Sequence, residues 1–271
     1  MNTGSPMRIV VFTGGAVLED ACVELMARIH DHPELQLLGV FCETRATGFA
    51  GIVGDLFRRR GWLAPLLLLQ QGLRRAGRAL RAPRDELRRR RARRELAPLV
   101  HFETDLHAPG VLSRLRELQP DVGAVYGGPI LRPALFELPG MGTIGIHHGR
   151  LPDYRGKKTT FWALYNGEDT VGVAIQRIGA GLDRGDVLRS GTLPIGRKPL
   201  PVVVRELDQL GLQLYLDALL DLRRGEAEFK PQPPGGGALY RDPRAADILL
   251  YWWRYLLGLV RPRPGTRGRR T

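Results

Sequence analysis

Apolar and polar positions along the chain follow two alternating rhythms. Met7–Thr13 (MRIVVFT) is a β-branched apolar run ending at Gly14-Gly15, the pattern of a buried parallel strand and its turn. Helical spacing follows through Val17–Ile29, and Leu35–Phe41 (LQLLGVF) reads as a second strand. Leu99–Glu103 is a further strand candidate. Val111–Leu118 has helical spacing and stops at Pro120. Asp121–Tyr126 (DVGAVY) is a buried-type strand ending in Gly127-Gly128-Pro129, and a short helix over Leu131–Leu138 leads to another strand, Thr143–His147. Strands alternating with helices predict an α/β fold with a mostly parallel sheet covered on both faces. Ligands of such sheets bind beyond the carboxyl ends of the strands, where Gly14-Gly15, Gly127-Gly128 and His147 all fall.

The chain has 271 residues, 43% of them hydrophobic, enough for one large domain or one domain with appendages. Its formal net charge is +13, but the charge is localised. Fourteen arginines stand against Asp85 and Glu86 between Arg58 and Arg94, and five arginines with no acid lie between Arg261 and Thr271. The basicity belongs to an insertion (57–97) and a tail, and the remainder is mildly acidic, which does not favour a broad nucleic-acid surface. Cys22 and Cys42 form neither a disulfide framework nor a spaced metal set, so no metal is expected. They read as small buried hydrophobes in a reducing, cytoplasmic setting. The N-terminus lacks a signal-peptide pattern, and no run of 18 uncharged apolar residues exists. The turn at Gly14-Gly15 lacks the full dinucleotide fingerprint. Pro231–Gly237 (PQPPGGG) reads as a flexible linker setting off a C-terminal piece, 226–271, from a catalytic domain over 7–225.

The stretch Gly142–Leu188 carries the chemistry. It contains GTIGIHHGRLPDYRG, then FWALYNGEDTVGVAIQRI, then GLDRGDVL. Here the chain resembles the formyltransferase family, which includes methionyl-tRNA, glycinamide-ribonucleotide and amino-sugar formyltransferases. The family pattern is an Asn-x-His pair ending a strand, a Leu-Pro-x-Tyr-Arg-Gly loop, a Trp-Ala helix with Asn-Gly-Glu, then Gly-x-Asp-x-Gly-Asp. The resemblance implies a Rossmann-like domain using 10-formyltetrahydrofolate as cosubstrate. It implies catalytic roles for His147 and Asp183, and cofactor contacts from Gly127, Gly128, Leu151, Pro152, Gly181 and Asp186. Gly14, Gly15, Tyr154 and Arg155 would meet the acceptor.

These residue types suit the reaction. Formyl transfer to an amine passes through a tetrahedral intermediate, which needs a donor for its oxyanion and a group to manage protons. His147 can do either, and a carboxylate at Asp183 would tune it. Pro152, Tyr154, Arg155 and Gly156 would form a rigid loop over the site, with Arg155 pairing an anionic substrate or bracing a carbonyl. Each residue also has a plainer role: a strand-end histidine is often structural, and an Asp between glycines is often a turn former. Trp162 reads as core packing, and Asn166-Gly167 with Glu168 as a helix end.

The family's catalytic Asn aligns with Gly145, which offers no amide. His148, standing where the family usually carries Pro, would supply the missing donor, or a water would fill the space. Otherwise the fold serves as a degenerate, membrane-associated binding or scaffold protein. Gln176 sits where some relatives carry a second His, and Lys157-Lys158 would attract an anionic substrate or simply be solvated. Only about 35 residues follow the linker, too few for a tRNA-gripping barrel. By elimination the acceptor is expected to be a small amine, a sugar nucleotide among the candidates. Trp62–Leu69 (WLAPLLLL) and Ile248–Val260 (ILLYWWRYLLGLV), flanked by arginines, suggest an anionic membrane surface as a second partner on the inner face. A helix packed on the core is the alternative for 248–260. Pro83 is expected to interrupt any helix through the basic insertion, and the Arg88–Arg94 run is a weaker candidate for nucleic acid.

Overall fold

The computed structural model of the protein describes residues 5–15, 18–44 and 83–258. Residues 45–82, with the apolar segment Trp62–Leu69, and the arginine tail after 258 lie outside the described residues, as does Val17.

The strands and helices alternate as their patterning predicts. Strand β1 (Met7–Gly14) leads through α1 (Asp20–His30) to β2 (Leu35–Glu43). Helix α2 (Pro83–Leu96) and a short 3-10 turn precede β3 (Val100–Glu103). Then come α3 (Pro109–Leu118), β4 (Val122–Val125), α4 (Pro133–Phe136) and β5 (Thr143–His147). The chain is described from Pro83 onwards as helix, and residues 45–82 before it lie outside the described ones.

The second half holds β6 (Tyr154–Gly156), α5 (Thr159–Tyr165), β7 (Thr170–Arg177), β8 (Val187–Pro194), the long α6 (Leu200–Arg224), β9 (Ala238–Tyr240) and α7 (Ala245–Leu256). The main sheet has the order β3-β2-β1-β4-β5-β7-β8. Strands β1 to β5 are parallel, β7 runs antiparallel to β5, and β8 antiparallel to β7.

The unbroken apolar run of β1 reflects burial on both faces. Ile9 and Val11 join one core with α1 and α6, while Val10 and Phe12 join another with α3 and α4. Tyr215 of α6 is fully buried and donates from its hydroxyl to Ile144 O at 2.8 Å, fixing α6 against β5. A third core gathers α5, β7, the start of α6 and α7.

The C-terminal segment is not a free appendage. β9 pairs in parallel with β6, and Lys230 bridges to Val187. The expected flexible linker is packed instead. A Cβ on Gly237 would stand 1.6 Å from Pro152 O, so the glycines there permit a close backbone approach. Helix α7 buries Tyr251 and packs Ile248, Trp252 and Tyr255 on the third core, leaving Leu249, Trp253, Leu256 and Leu257 exposed. No helix among the described residues is long and apolar enough to cross a membrane.

Candidate active site

His147 ends β5 and is 7% exposed. Its Nε2 lies 2.7 Å from Tyr154 O. A carbonyl only accepts, so Nε2 carries a hydrogen, and the neutral ring leaves Nδ1 bare. Nδ1 faces Asp183 Oδ1 at 3.4 Å. Burial pushes the imidazole below its ordinary pKa of 6.5, opposed by the Asp183 carboxylate and the Tyr154 carbonyl. The pair therefore has room for one proton between Nδ1 and Oδ1.

Asp183 is held rather than merely present. It occupies the left-handed region at φ 52. Its Oδ2 accepts from Gly156 N at 2.7 Å, and its Oδ1 from Gln176 Nε2 at 3.1 Å. Gln232 then donates from Nε2 to Asp183 O at 3.1 Å and to Gly185 O at 2.7 Å. Gln232 lies in the supposed linker. No spacing in the chain signals its role, because the contact spans 49 residues.

Gly149 has a spatial reason to be glycine. An added Cβ would stand 2.4 Å from both His147 Nε2 and Tyr154 O, on top of the bond that sets the tautomer.

Other expected site residues lie elsewhere. Tyr154 turns its ring away from His147, stacks on Tyr240 with centroids 4.9 Å apart, and donates to Glu168 Oε1 at 2.7 Å. Only its carbonyl meets the site. Burial raises the Tyr154 phenol well above its ordinary value. Arg155 is buried and donates to Gly237 O at 3.0 Å, while its Nε has no partner among the described residues. Pro152 packs under Gly236 and Gly237. In the Gly181 turn, Gly181 O accepts from Arg184 N, and Asp186 O accepts from Arg177 N. Lys157 reaches Asp242 at 3.6 Å.

The water expected beside Gly145 finds no room. Ile178 Cδ1 lies 2.7 Å from where a Cβ would stand, so hydrocarbon fills the space. His148 does not turn towards it. Its Nε2 contacts Asp208 Oδ1 of α6 at 2.9 Å, without the alignment of a hydrogen bond. The edge of Tyr126 lies beside it, and Thr159 Oγ1 donates to His148 O.

At the other strand ends, Gly14 and Gly128 touch backbone to backbone, while Gly127 at φ 59 faces open space. Cys42 Sγ donates to Gly15 O at 3.4 Å. Both cysteines are buried, and burial pushes the Cys22 thiol up to about 12. Helix α2 docks its basic face here: Arg89 and Arg93 pair with Asp20 at 3.1 and 2.9 Å, and Arg93 also donates to Leu18 O.

Glu43, Asp105 and His107 approach one another, a cluster the sequence pattern did not suggest. His107 Nε2 accepts from Arg132 N and Nδ1 donates to Asp105, so both ring nitrogens are committed.

A mostly parallel sheet with a buried His–Asp pair beyond a central strand defines an α/β domain with its polar site at the carboxyl end of the sheet. Residues 82–199 match the family model described as formyl transferase. A methionyl-tRNA formyltransferase of Chloroflexus aggregans is 41% identical over 158 residues, covering 57% of this chain and 50% of that protein. One of Synechococcus sp. is 36% identical over 149 residues, covering 54% and 46%. The chain thus spans about half the length of the curated relatives it matches. Among solved structures, HypX from Aquifex aeolicus in complex with tetrahydrofolic acid superposes with a TM-score of 0.57 at 16% identity, over 90% of this chain and 31% of that one. Phosphoribosylglycinamide formyltransferase from Streptococcus pneumoniae gives 0.54 at 16%, over 80% and 98%. At such identities these likenesses speak for the fold.

Proposed function

We propose that the protein transfers a formyl group from 10-formyltetrahydrofolate to a primary amine. The observation that carries this is the buried His147–Asp183 pair, whose neutral state leaves Nδ1 bare opposite a carboxylate oxygen. Protonated there, His147 is an imidazolium held by Asp183 on one side and the Tyr154 carbonyl on the other. That positive charge stabilises negative charge developing on the formyl oxygen. The Arg155 Nε, a buried donor without a partner among the described residues, suits a carbonyl- or carboxylate-bearing ligand such as a folate.

Calorimetric titration with 5-formyltetrahydrofolate tests the reading. Saturable binding that Asp183→Asn weakens is expected, and no binding at high concentration refutes it.

The acceptor we infer is a small phosphorylated or nucleotide-linked amine, with the arginine-rich segment that ends in α2 as a source of positive charge. A sugar nucleotide fits this, and the methionyl-tRNA named for the relatives is the alternative. Competition by UDP-sugar amines or by methionyl-tRNA separates them.

A second reading has its own support. Hydrocarbon from Ile178 beside Gly145, and protein partners on both nitrogens of His147, favour a degenerate fold acting as a scaffold. Binding of folate without turnover on either acceptor would select it. In either case we infer a cytoplasmic protein that meets the anionic inner membrane surface through α7, whose exposed Trp253, Leu256 and Leu257 precede five arginines. Equal binding to neutral and anionic vesicles would refute the electrostatic part.

A further inference from the structure

Two carboxylate–imidazole pairs flank the end of β5, one buried and one part-exposed. His147 and Asp183 are 8% and 14% exposed at their side chains, and both ring nitrogens face protein. His148 and Asp208 are 29% and 27% exposed. A bulky acceptor has access to the second pair, not the first.

The second pair is also incomplete. Asp208 Oδ1 takes both neighbours: the Tyr126 hydroxyl donates at 3.4 Å and His148 Nε2 stands at 2.9 Å out of line. Asp208 Oδ2 and His148 Nδ1 have no partner among the described residues. The buried Nε2 of His148 lacks a hydrogen bond. Tyr126 is buried at the end of β4 and holds the carboxylate from behind. An ammonium group supplies what the cluster lacks, a positive charge and several N–H donors.

We propose that Asp208, with His148 and Tyr126, forms the subsite that holds the acceptor's amino group and takes its proton. This rests on the formyl-transfer reading above. An ammonium acceptor gives up two protons in the reaction. The first passes to the Asp208–His148 pair and on to solvent, which leaves a nucleophilic amine. Its nitrogen adds to the formyl carbon to give a tetrahedral adduct, and the bond from that carbon to the folate nitrogen breaks as the adduct collapses. The second proton, shed as the tetrahedral adduct collapses, balances the one that the departing folate nitrogen receives.

The test uses 10-formyltetrahydrofolate with two acceptor probes, methioninamide and hydroxylamine. Methioninamide is substantially protonated near neutral pH and needs a base, whereas hydroxylamine is already unprotonated there. In Asp208→Asn, kcat/KM for methioninamide should fall about 10²-fold, and that for hydroxylamine by about tenfold less. His148→Gln should show the same split more weakly. Affinity for 5-formyltetrahydrofolate, unchanged in both variants, serves as the check on folding. Equal losses for the two probes, or none, would overturn the proposal. So would a wild-type protein that binds the folate yet formylates neither probe, and that result leaves the folate reading standing. Failure to bind the folate at all would remove both.

Discussion

Gly149→Ala isolates the contact on which the His147 chemistry depends. The added methyl carbon would stand 2.4 Å from His147 Nε2 and 2.4 Å from Tyr154 O, well inside contact distance of both. The bond between them, 2.7 Å in the structure, cannot persist with that carbon in place. An unsatisfied buried donor costs about 1–3 kcal/mol, and forcing a methyl into a packed site about the same again. The variant should therefore lose at least about 2 kcal/mol, or at least about 4 °C in melting temperature for a protein of this size. The loss of the carbonyl partner also lowers the pKa of His147 further, because Tyr154 O favours the imidazolium. Urea denaturation at neutral pH reads the first effect, and titration with 5-formyltetrahydrofolate reads the second as weakened binding. Tyr154→Phe is the control: it deletes the hydroxyl but leaves the carbonyl, so it should leave folate binding intact. An alanine variant that melts with the wild type and binds folate equally would refute the assigned tautomer and the role of Gly149.

Three further outcomes follow from the same geometry. Because burial lowers the pKa of His147 below 6.5, the unfolded chain binds a proton that the folded chain refuses. Stability should then fall as pH drops below 6.5; urea midpoints between neutral and mildly acidic pH check this, with His147→Gln giving the shallower slope. Gly145→Asn should destabilise by about 1–3 kcal/mol against Ile178, and Ile178→Val should relieve part of it. If a missing amide limits the rate, the double variant should transfer formyl groups about 10²-fold faster. Gln232→Ala removes donors to Asp183 O and Gly185 O, and should cost about 1–2 kcal/mol and weaken folate binding.

The sheet was legible because its signal is local. A strand buried on both faces must be apolar at successive positions, as Ile9 to Phe12 are, and its turn must bend where Gly14 stands. The C-terminal segment was not legible for the converse reason. Glycine and proline report what the backbone at 231–237 can adopt, not what it lies against. The same composition serves a loose tether or a strap drawn over Pro152, and only the 1.6 Å clearance at Gly237 decides between them. Helix α2 shows the limit of charge counting: of its arginines, Arg89 and Arg93 are committed to Asp20, a partner distant in sequence.

Strand alternation separates His147 from His148. Successive residues of a strand point to opposite faces. His147 ends β5 and His148 follows it directly, so a role for both beside Gly145 asks two neighbours to share one face. Gly145 and His147, two apart, do share it, and Ile178 packs there. His148 must turn to the face of α6, where Asp208 meets it. The same alternation separates Tyr154, whose ring enters the third core, from Arg155, which reaches Gly237. What alternation cannot supply is the partner. Asp208 lies 60 residues beyond His148, on a helix whose packing against β5 depends on Gly211 letting Ile146 approach. The motif therefore locates the buried pair, while the accessible pair exists only once α6 has docked. The two pairs differ in burial for the same reason: the motif closes His147 and Asp183 inside the fold, and the docked helix leaves His148 and Asp208 part-exposed.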